Sequence, residues 1–415
     1  MKILMLSAYF PPEVGSAAHL FLELGEEFIR RGHDVTVVTG FPRYNVSRKS
    51  LPREYRRGIF LKQMISGMKI LRTRTFDFPR DIPFLRGLDQ VLLSIAFLFT
   101  GMFRAGRNVD VILVYSPPLF LGLAAYVLKL VKGSVLVLNV QDLFPQSAID
   151  LGLLRNPLLI NIFKRVEQYL YGRSQAITVH SEGNRDYIFS RNGAVNRVVV
   201  IPNLVDTREI VPGERDNTFR RKHSIDANVF VVSFAGVIGY SQDLDSVVDS
   251  AVLLQNKPEI LFLIVGDGVE KPDLERRVLE LRLKNLRFLP MLPKEEYIQL
   301  LHASDVCLVT LRRQVKTPVV PSKILSIMAA GRPLVASLPL DGDASKLIAE
   351  AGCGYCVEPG NPQKLVDAIL SLQRDPSTAN SFALDGRRYA EEYLSAQRCG
   401  DIYERLFAEL HNQSK

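Results

Sequence analysis

Residues 317–333 place a lysine at the predicted start of a helix. Ser322 is a suitable helix N-cap, Gly331 suits the position after the helix ends, and Pro333 cannot continue the helix. Lys323 therefore falls in the first turn, where the helix dipole favours negative rather than positive charge. The arrangement is explained if an anion such as a phosphate binds between the lysine and free backbone N–H groups. The alternative is a surface lysine on a core helix.

Three turns of small residues follow apolar runs of the kind that form buried strands. Their members are Gly15 and Ser16 in the first half of the chain, and Gly236, Gly239, Gln242 and Gly266 in the second. Because glycine carries no side chain, a phosphate can closely approach the start of the following helix. Tight turns without a ligand are the alternative. The chain has no G-x-G-x-x-G fingerprint, which argues against a dinucleotide-dependent oxidoreductase.

The apolar runs alternate with helical patterns in two separate series. The first series has candidate strands at 2–8, 34–39, 111–115, 134–139, 176–179 and 198–201. The second follows a charged linker at 206–224, with candidate strands at 229–235, 260–265, 286–289, 306–311 and 334–337. Strands this apolar are typical of parallel sheets that are covered on both faces.

These two series predict an α/β fold with two Rossmann-like, doubly wound domains that face each other across a cleft. The first domain spans residues 1–204 and the second spans residues 205–389. A further helical pattern covers residues 390–415. Its periodicity leaves open whether this last helix packs on the first domain.

The charge of the chain is concentrated in its first half. The net charge is +8, and the first 200 residues contain 26 Lys and Arg against 15 Asp and Glu. Residues 43–74 contain ten basic residues and one acid, Glu54. Such a patch suits anionic lipid headgroups, a pyrophosphate-linked acceptor or nucleic acid, and a solvated loop is the alternative. Nucleic acid is the weakest of these partners because no nucleic-acid motif accompanies the patch.

The composition and the N-terminal sequence also indicate in which cellular compartment the protein is expected. The N-terminus is better interpreted as a buried strand than as a signal peptide, and four cysteines form no disulfide framework, which favours a reducing environment. We expect no segment to reach the roughly 18 to 20 apolar residues that span a bilayer, and the nearest is the apolar run at 91–103. It predicts either a buried helix or a helix that lies in a membrane interface.

The order of several short motifs resembles that of the family 4 retaining glycosyltransferases. The motifs are F-P-P-E-x-G, R-G-H-D-V-T-V-V-T, Q-D-L-F-P, I-P-N-L-V-D, F-A-G-V-I-G, V-G-D-G, P-S-K-I-L-S-I-M-A-A-G-R-P and A-G-C-G-Y-C-V-E-P-G-N-P. The resemblance covers nearly the whole chain. It implies the GT-B fold, with the nucleotide sugar bound mainly by the C-terminal domain and the acceptor by the N-terminal domain.

The resemblance also implies the chemistry. It implies hexosyl or N-acetylhexosaminyl transfer from a UDP- or GDP-sugar, with retention of the anomeric configuration and without metal or other cofactor. The branch most resembled acts in bacterial surface polysaccharide assembly, such as that of colanic acid and O-antigen, on polyprenyl-pyrophosphate-linked sugars. We therefore expect a cytoplasmic enzyme that is peripheral on the inner face of the membrane.

The sequence departs from the family at its most typical positions. The family has two glutamates, one for the donor sugar and one for the ribose, and the matching positions here are Pro318 and Ser326. The family histidine near the reaction centre is matched by Gln141, which precedes Asp142. Two basic residues that often hold the diphosphate have no match in residues 236–244. Lys323 is therefore expected to take more of the anion-binding role.

The candidate residues have two expected roles. The catalytic candidates are Lys323, which would stabilise the leaving diphosphate, and Asp142, which would orient the acceptor or stabilise the oxocarbenium-like centre. Gln141, at the position of the family histidine, is the third catalytic candidate. Asp142 as a simple turn residue is the alternative. Backbone N–H groups of the glycine turns and of Ser322 are expected to assist Lys323. The donor-binding candidates are Gly15, Ser16, Gly236, Gly239, Gln242, Gly266, Met291, Ser322, Ile324 and Ser326.

Other motifs suggest alternatives that carry less weight. A nucleotide-sugar epimerase and a non-catalytic partner subunit are compatible with the same fold. The spacing of Cys353 and Cys356 is that of a redox motif, but no helix follows it. Asp341 and Asp343 imitate a metal-binding D-x-D late in the second domain, and His33 is expected to begin a strand.

Overall fold

The chain divides into two compact units. The computed structural model describes residues 1–13, 15–43, 46, 51–56, 58–75, 83–191 and 197–413. One unit comprises Met1–Leu204 with Ala396–Lys415, and the other comprises Val205–Ser395. The last helical segment therefore belongs with the first unit.

The N-terminal unit contains a sheet of eight strands in the described residues. The strands are β1 (Lys2–Leu6), β2 (Asp34–Gly40), β3 (Phe60–Ile65), β4 (Met68–Thr73), β5 (Val111–Ser116), β6 (Val135–Val140), β7 (Ala176–Val179) and β8 (Val198–Val200). Their order across the sheet is β3-β4-β2-β1-β5-β6-β7-β8. All neighbours pair in parallel except β3 and β4, which form an antiparallel hairpin.

Helices cover both faces of this sheet. They are α1 (Ser16–Arg30), α2 (Arg53–Arg56), α3 (Pro83–Arg104), α4 (Leu119–Lys132), α5 (Gln146–Asp150), α6 (Pro157–Arg173), α7 (Glu182–Arg191) and the last helix, α16 (Ala396–Gln413). One core contains the inner faces of α1 and α16, and the other contains those of α3, α4 and α6. The two cores explain why β5 and β6 are buried along their whole length and β1 is buried from Ile3 onward.

The C-terminal unit contains a parallel sheet of six strands in the described residues. The strands are β9 (Phe230–Ala235), β10 (Ile260–Val265), β11 (Leu286–Leu289), β12 (Val306–Thr310), β13 (Leu334–Ser337) and β14 (Gly354–Val357). Their order is β11-β10-β9-β12-β13-β14. The helices are α8 (Thr218–Lys222), α9 (Leu244–Leu253), α10 (Lys271–Glu280), α11 (Lys294–Ala303), α12 (Lys323–Ala329), α13 (Asp343–Ala351), α14 (Pro362–Arg374) and α15 (Pro376–Tyr393). The prediction of two doubly wound Rossmann-like domains is confirmed.

The hairpin of β3 and β4 was not predicted. It lies in the basic stretch at 43–74, where charged residues interrupt the apolar pattern. Arg72, on β4, is completely buried, and its guanidinium donates to the carbonyl oxygens of Gly40, at 3.0 Å, and of Pro11. Arg43 forms a two-pronged ion pair with Asp89 at 2.7 Å. Part of the predicted surface patch is therefore structural, and Arg48, Lys49 and Arg57 lie outside the described residues.

Helix α3 is longer than the apolar run at 91–103 predicted. Its segment Gly87–Arg104 is long and apolar enough to cross a membrane by length and composition, so the expectation that no segment has this length is wrong. Only 28% of the segment is buried. The buried part includes Leu93 and Phe97, which belong to the core of the N-terminal unit.

The last helix, α16, packs against α1. The rings of Tyr403 and Phe407 lie 5.9 and 5.6 Å from the ring of Phe28. Arg31, which follows α1, forms an ion pair with Glu404 at 2.9 Å. Apolar packing and charge thus fix this helix on the N-terminal unit.

Candidate functional site

Lys323 points from the first turn of α12 to the glycine turn that follows β9. Its Nζ donates to Oε1 of Gln242 at 3.0 Å and lies 3.8 Å from the centroid of the Phe234 ring. Desolvation lowers the pKa of Lys323 to about 7. A lysine in this environment gains most from an anion, which would restore the solvation that the protein removes.

The capping role predicted for Ser322 is wrong in its detail. Ser322 does occupy the N-cap position, but its backbone is helical and its side chain makes no capping hydrogen bond. The end of the helix was predicted correctly, since Gly331 follows it with φ of 61°. The position of Lys323 therefore depends on the packing of α12.

The glycine turns of the C-terminal unit lie against one another. A methyl group on Gly236 would lie 3.2 Å from Nζ of Lys323, and one on Gly266 would overlap the carbonyl oxygen of Gly236. Both residues have positive φ, of 147° and 151°. The N–H of Gly236 donates to the carbonyl of Val265 at 2.9 Å, so the prediction that it binds the diphosphate is not supported. The glycines make room for Lys323 rather than supplying that donor.

Arg312 holds Gln242 in place and was missed by the sequence analysis. Its Nε donates to the backbone carbonyl of Gln242 at 2.9 Å, and its Nη2 lies 2.7 Å from Glu270. The backbone N–H of Arg312 also donates to the carbonyl of Ser241 at 2.9 Å. Two contacts from one residue thus fix the backbone of the turn that Lys323 reaches.

Ser326 is paired with a tyrosine that the sequence did not identify. The hydroxyls of Ser326 and Tyr297 lie 2.6 Å apart, and the Ser326 hydroxyl donates to the carbonyl of Lys323 at 3.0 Å. Burial raises the pKa of Tyr297 above its usual range, so the phenol stays neutral. The structure therefore puts two hydroxyl groups at the position that the sequence resemblance matches to a family glutamate.

Ile324 and Met291, which were also predicted to contact the donor sugar nucleotide, differ in how exposed their side chains are. Ile324 is completely buried in the core of the C-terminal unit, and its N–H donates to Pro321. Its side chain is therefore not available to a ligand. Met291 is half-buried in the segment between β11 and α11.

Gln141 and Asp142 follow β6 in the N-terminal unit, as predicted. Nε2 of Gln141 donates to Oδ1 of Asn139 at 3.0 Å. Asp142 is exposed, yet desolvation raises the pKa of its carboxyl, against hydrogen bonds from the Ser147 side chain and the Leu143 backbone. Desolvation, together with the negative charge of Asp142, also raises the pKa of Tyr115. An accessible carboxylate surrounded by protein is a suitable group for orienting a hydroxyl.

A buried carboxylate supports the loop between β1 and α1, which contains Gly15. Glu13 accepts hydrogen bonds from the backbone N–H of Phe10, at 3.2 Å, and of Arg43, at 2.9 Å. Gly15 precedes α1, and Ser16 is its first residue. The loop after β1 is thereby attached to the segment after β2.

Both cysteines of the cysteine motif and the second aspartate of the D-x-D motif lie in the core or in regular secondary structure. Cys353 is completely buried, and burial raises its pKa to about 12. Cys356 lies on β14, and Asp343 begins α13. In the part of the chain that the structure describes, no group of three or more His, Cys, Asp or Glu could hold a metal ion.

Comparison with known families identifies both halves of the chain. The family described as "Glycosyl transferase 4-like domain" matches residues 15–204, and "Glycosyl transferases group 1" matches residues 215–389. The chain belongs to these glycosyltransferases. Membership favours transfer over the epimerase and the non-catalytic alternatives.

Relatives of this glycosyltransferase match most of its length. The probable glycosyltransferase WbjE of Pseudomonas aeruginosa is 26% identical over 341 residues, which are 80% of this chain and 84% of the relative. The putative colanic acid biosynthesis glycosyl transferase WcaI of Escherichia coli is 24% identical over 96% of this chain and 97% of its own. The Anabaena protein HepE, solved with UDP-glucose, has a TM-score of 0.72 and 18% identity, with 99% of this chain and 100% of HepE covered. The fold is that of the GT-B glycosyltransferases.

Proposed function

We propose that this glycosyltransferase moves a hexosyl or N-acetylhexosaminyl group from a UDP- or GDP-sugar to a lipid-linked glycan, with retention and without a divalent metal. The observation that carries the proposal is the position of Lys323 Nζ, 3.0 Å from Gln242 and beside Gly236. It places one positive charge beside the glycine turn that follows β9. The resemblance to the family leads us to expect the donor diphosphate at this turn.

The leaving diphosphate is the group that Lys323 would stabilise. As the bond between the sugar and the β-phosphate breaks, negative charge develops on the phosphate oxygens. A cation already held by Gln242 and the Phe234 ring needs little rearrangement to receive that charge. Backbone N–H groups of Gly239 and Ser322 would add hydrogen bonds, and Ser326 would bind a ribose hydroxyl.

The acceptor would be oriented by the N-terminal unit. Retention requires the acceptor hydroxyl to attack the face that the diphosphate leaves, so its proton can pass to the leaving phosphate. The exposed carboxyl of Asp142 would orient the acceptor or stabilise the oxocarbenium-like centre, with Gln141 beside it. Gly15 and Ser16, at the start of α1, would contact the donor from this unit.

The names of the relatives support a role in bacterial surface polysaccharide assembly. WcaI is described as acting in colanic acid biosynthesis, which fits an acceptor on polyprenyl pyrophosphate. Such an acceptor is anchored in the inner face of the cytoplasmic membrane. We infer that the enzyme works there as a peripheral protein, and nucleic acid is not among its proposed partners.

A panel of nucleotide sugars tests the proposal. Saturation-transfer NMR would identify which UDP- or GDP-sugar binds, and turnover with an acceptor extract would be followed with and without EDTA. We expect one donor to bind, the transferred sugar to keep its anomeric configuration, and EDTA to have no effect. Absence of binding by every donor at millimolar concentration would overturn the proposal.

A variant pair tests the role of the lysine. We expect Lys323→Ala to lower kcat by about 100-fold, the usual effect of removing a group that stabilises developing negative charge. Lys346→Ala is the control, because this exposed lysine lies in the same unit on α13. Equal activity of the two variants would contradict the assignment.

A further inference from the structure

Three neighbouring helices of the N-terminal unit share an apolar outer surface. Helix α4 packs against α3 and α6, and Gly101 lies against Leu128 while Gly122 lies against Leu170. We call this outer surface the helical face. Its exposed apolar side chains are Leu88, Ile95, Phe99 and Phe103 on α3, Val127, Leu130 and Val131 on α4, and Leu158, Leu159, Ile162 and Tyr169 on α6.

The stripe on α3 is the most exposed part of the helical face. Residues 88, 95, 99 and 103 recur at helical spacing, so they lie on one side of the helix. Phe99 and Phe103 are 54% and 72% exposed, and their rings stack at 6.3 Å. A row of large apolar side chains held in water is the usual sign of a surface that binds something apolar.

Helix α3 cannot cross a bilayer without unfolding the unit. Leu93 and Phe97 belong to the core beneath the sheet, and Gly101 contacts α4. A transmembrane position would remove these contacts and open the core. The opposite side of α3 is free of this restraint, so the helix can lie in the plane of a membrane interface with its exposed side in the lipid.

Basic side chains lie at the C-terminal ends of the three helices, along one end of the helical face. The three helices each connect parallel strands, so they run in the same direction and end at the same edge of the sheet. Arg104, Lys129, Lys132 and Arg173 lie in their last turns. Three of these side chains extend over aromatic rings: Arg104 over Phe60, Lys129 over Tyr126, and Arg173 over Tyr169.

Acidic residues are scarce on the same helices. Helix α4 contains no Asp or Glu. Between Gly87 and Arg104 the one acid is Asp89, which is paired with Arg43. On α6 the one acid is Glu167; its carboxylate accepts a hydrogen bond from Tyr171, and burial raises its pKa to about 7. The helical face therefore has a positive field.

We propose that the helical face docks the enzyme on an anionic lipid bilayer, with α3, α4 and α6 parallel to its plane. Exposed Phe and Leu side chains would enter the acyl boundary, while the cations at the helix ends contact lipid phosphates. A second copy of the chain fits less well, because two helical faces would bring like charges together. This proposal rests on the proposed function in one respect: docking would bring the enzyme to a lipid-linked acceptor. The apolar and charged residues of the helical face do not depend on which donor the enzyme uses.

The docking surface differs from the basic stretch at 43–74. That stretch includes Arg72, which is buried, and Arg43, which is paired with Asp89. Arg74 donates to the backbone carbonyls of Gly58 and Tyr55. At the ends of the three helices, Lys129 and Lys132 also donate to backbone carbonyls, those of Arg173 and Gly106. Arg104 and Arg173 extend over aromatic rings instead and are better placed to contact phosphates of a surface.

Flotation of the full chain with vesicles tests the proposal. We expect binding to phosphatidylcholine vesicles that contain phosphatidylglycerol, weaker binding to pure phosphatidylcholine, and loss of binding at high salt. The double variant Phe99→Ser/Phe103→Ser should reduce binding at least tenfold, given the usual effect of burying a phenylalanine. The variant Arg104→Gln/Arg173→Gln should reduce only the part that depends on phosphatidylglycerol.

Controls separate docking from folding and from catalysis. Leu279→Ser/Leu384→Ser removes two exposed leucines from the C-terminal unit and should bind vesicles like the native chain. Donor binding by each variant should be unchanged, which shows that folding is intact. Vesicle binding that is the same for the Phe99/Phe103 variant and for the native chain would overturn the proposal. A dimer that dissociates on that substitution, without vesicle binding by the native chain, would overturn it in favour of a second copy. Donor binding reports on the proposed function separately.

Discussion

The hydroxyl of Tyr403, on the last helix, accepts a hydrogen bond from Nδ2 of Asn139, on β6, at 2.8 Å. Asn139 also donates to Thr178 at 3.0 Å and accepts from Gln141 at 3.0 Å. Burial raises the pKa of Tyr403, so its hydroxyl stays neutral and keeps its hydrogen bonds. The last helix therefore positions Asn139, which in turn binds the side chain of Gln141, the residue before Asp142.

Tyr403→Phe tests this relationship. Without the phenol oxygen, Asn139 loses one acceptor and Gln141 loses part of its restraint. We expect the free energy of unfolding to fall by about 1 kcal/mol, as for a typical lost hydrogen bond. We also expect kcat with the acceptor to fall several-fold while donor affinity, measured by calorimetry, is unchanged. Phe407→Leu on the same helix is the control, because it should affect stability alone; equal kcat in both variants would argue against a positioning role.

Donor affinity should depend on pH through Lys323. The pKa of this lysine is lowered to about 7 in the free enzyme, and a bound diphosphate favours the charged form and raises the pKa. Binding therefore takes up a proton above pH 7, and affinity for UDP or GDP falls by up to about tenfold per pH unit there. Calorimetry in two buffers of different ionisation enthalpy measures this proton uptake. A pH-independent affinity in the native chain, equal to that of Lys323→Ala, would contradict it.

The same lysine should destabilise the fold. Its folded pKa of about 7 lies below the usual lysine value of 10.5, so the unfolded chain binds more protons between these values. Stability therefore rises with pH across that window as the penalty disappears. We expect Lys323→Met to raise the free energy of unfolding most at pH 7 and least near pH 10, as measured in urea. A gain that stays constant over this range would show that charge is not the cause.

The glycine turns give a matched pair of substitutions. A methyl group on Gly266 would overlap the carbonyl of Gly236, whereas one on Gly239 would lie 3.6 Å from Val237, an ordinary contact. We expect Gly266→Ala to lower the free energy of unfolding by about 2 kcal/mol or more, since it adds overlap to a backbone with positive φ. Gly239→Ala should change it by less than about 1 kcal/mol. Equal thermal unfolding of the two variants would contradict the close approach of the turns.

We expect Ser326 and Tyr297 to recognise the ribose of the donor nucleotide. If these hydroxyls bind a ribose hydroxyl, Ser326→Ala lowers the affinity for UDP several-fold and leaves that for 2′-deoxy-UDP almost unchanged. Tyr297→Phe should have a smaller effect in the same direction, because it removes only the partner of Ser326. Isothermal titration with both nucleotides measures the ratio. Equal losses for the two nucleotides would indicate a general effect on the site.

The strands that could be predicted are those with continuous apolar sequence. Residues 176–179, 260–265 and 334–337 form strands with the predicted bounds, because burial on both faces leaves an uninterrupted pattern. The hairpin of β3 and β4 has charged residues on a half-exposed edge strand and a buried Arg72, so its pattern resembles a loop. The sequence therefore revealed the centres of the sheets better than this edge.

A residue of the candidate site could be predicted from the sequence only where its type is unusual for its place in a helix or strand. Lys323 is such a case, because a lysine rarely suits the first turn of a helix. Its contact with Gln242 is tertiary, and so are those of Ser326 with Tyr297 and of Asn139 with Tyr403, 29 and 264 residues apart. No local pattern indicates such partners. Ile324 was misassigned for the same reason, since adjacency to Lys323 does not show which side of α12 faces the core.

The position of α16 has a consequence for the order in which the protein can fold. During synthesis, residues 1–204 emerge first, but the helix that completes their core emerges after the whole C-terminal unit. Until then Phe28 lacks its aromatic neighbours Tyr403 and Phe407, and Arg31 lacks Glu404, which is 373 residues away. The N-terminal unit therefore reaches its final form last, although its sequence comes first, and the residues that flank Asp142 are held only in a fully synthesised chain.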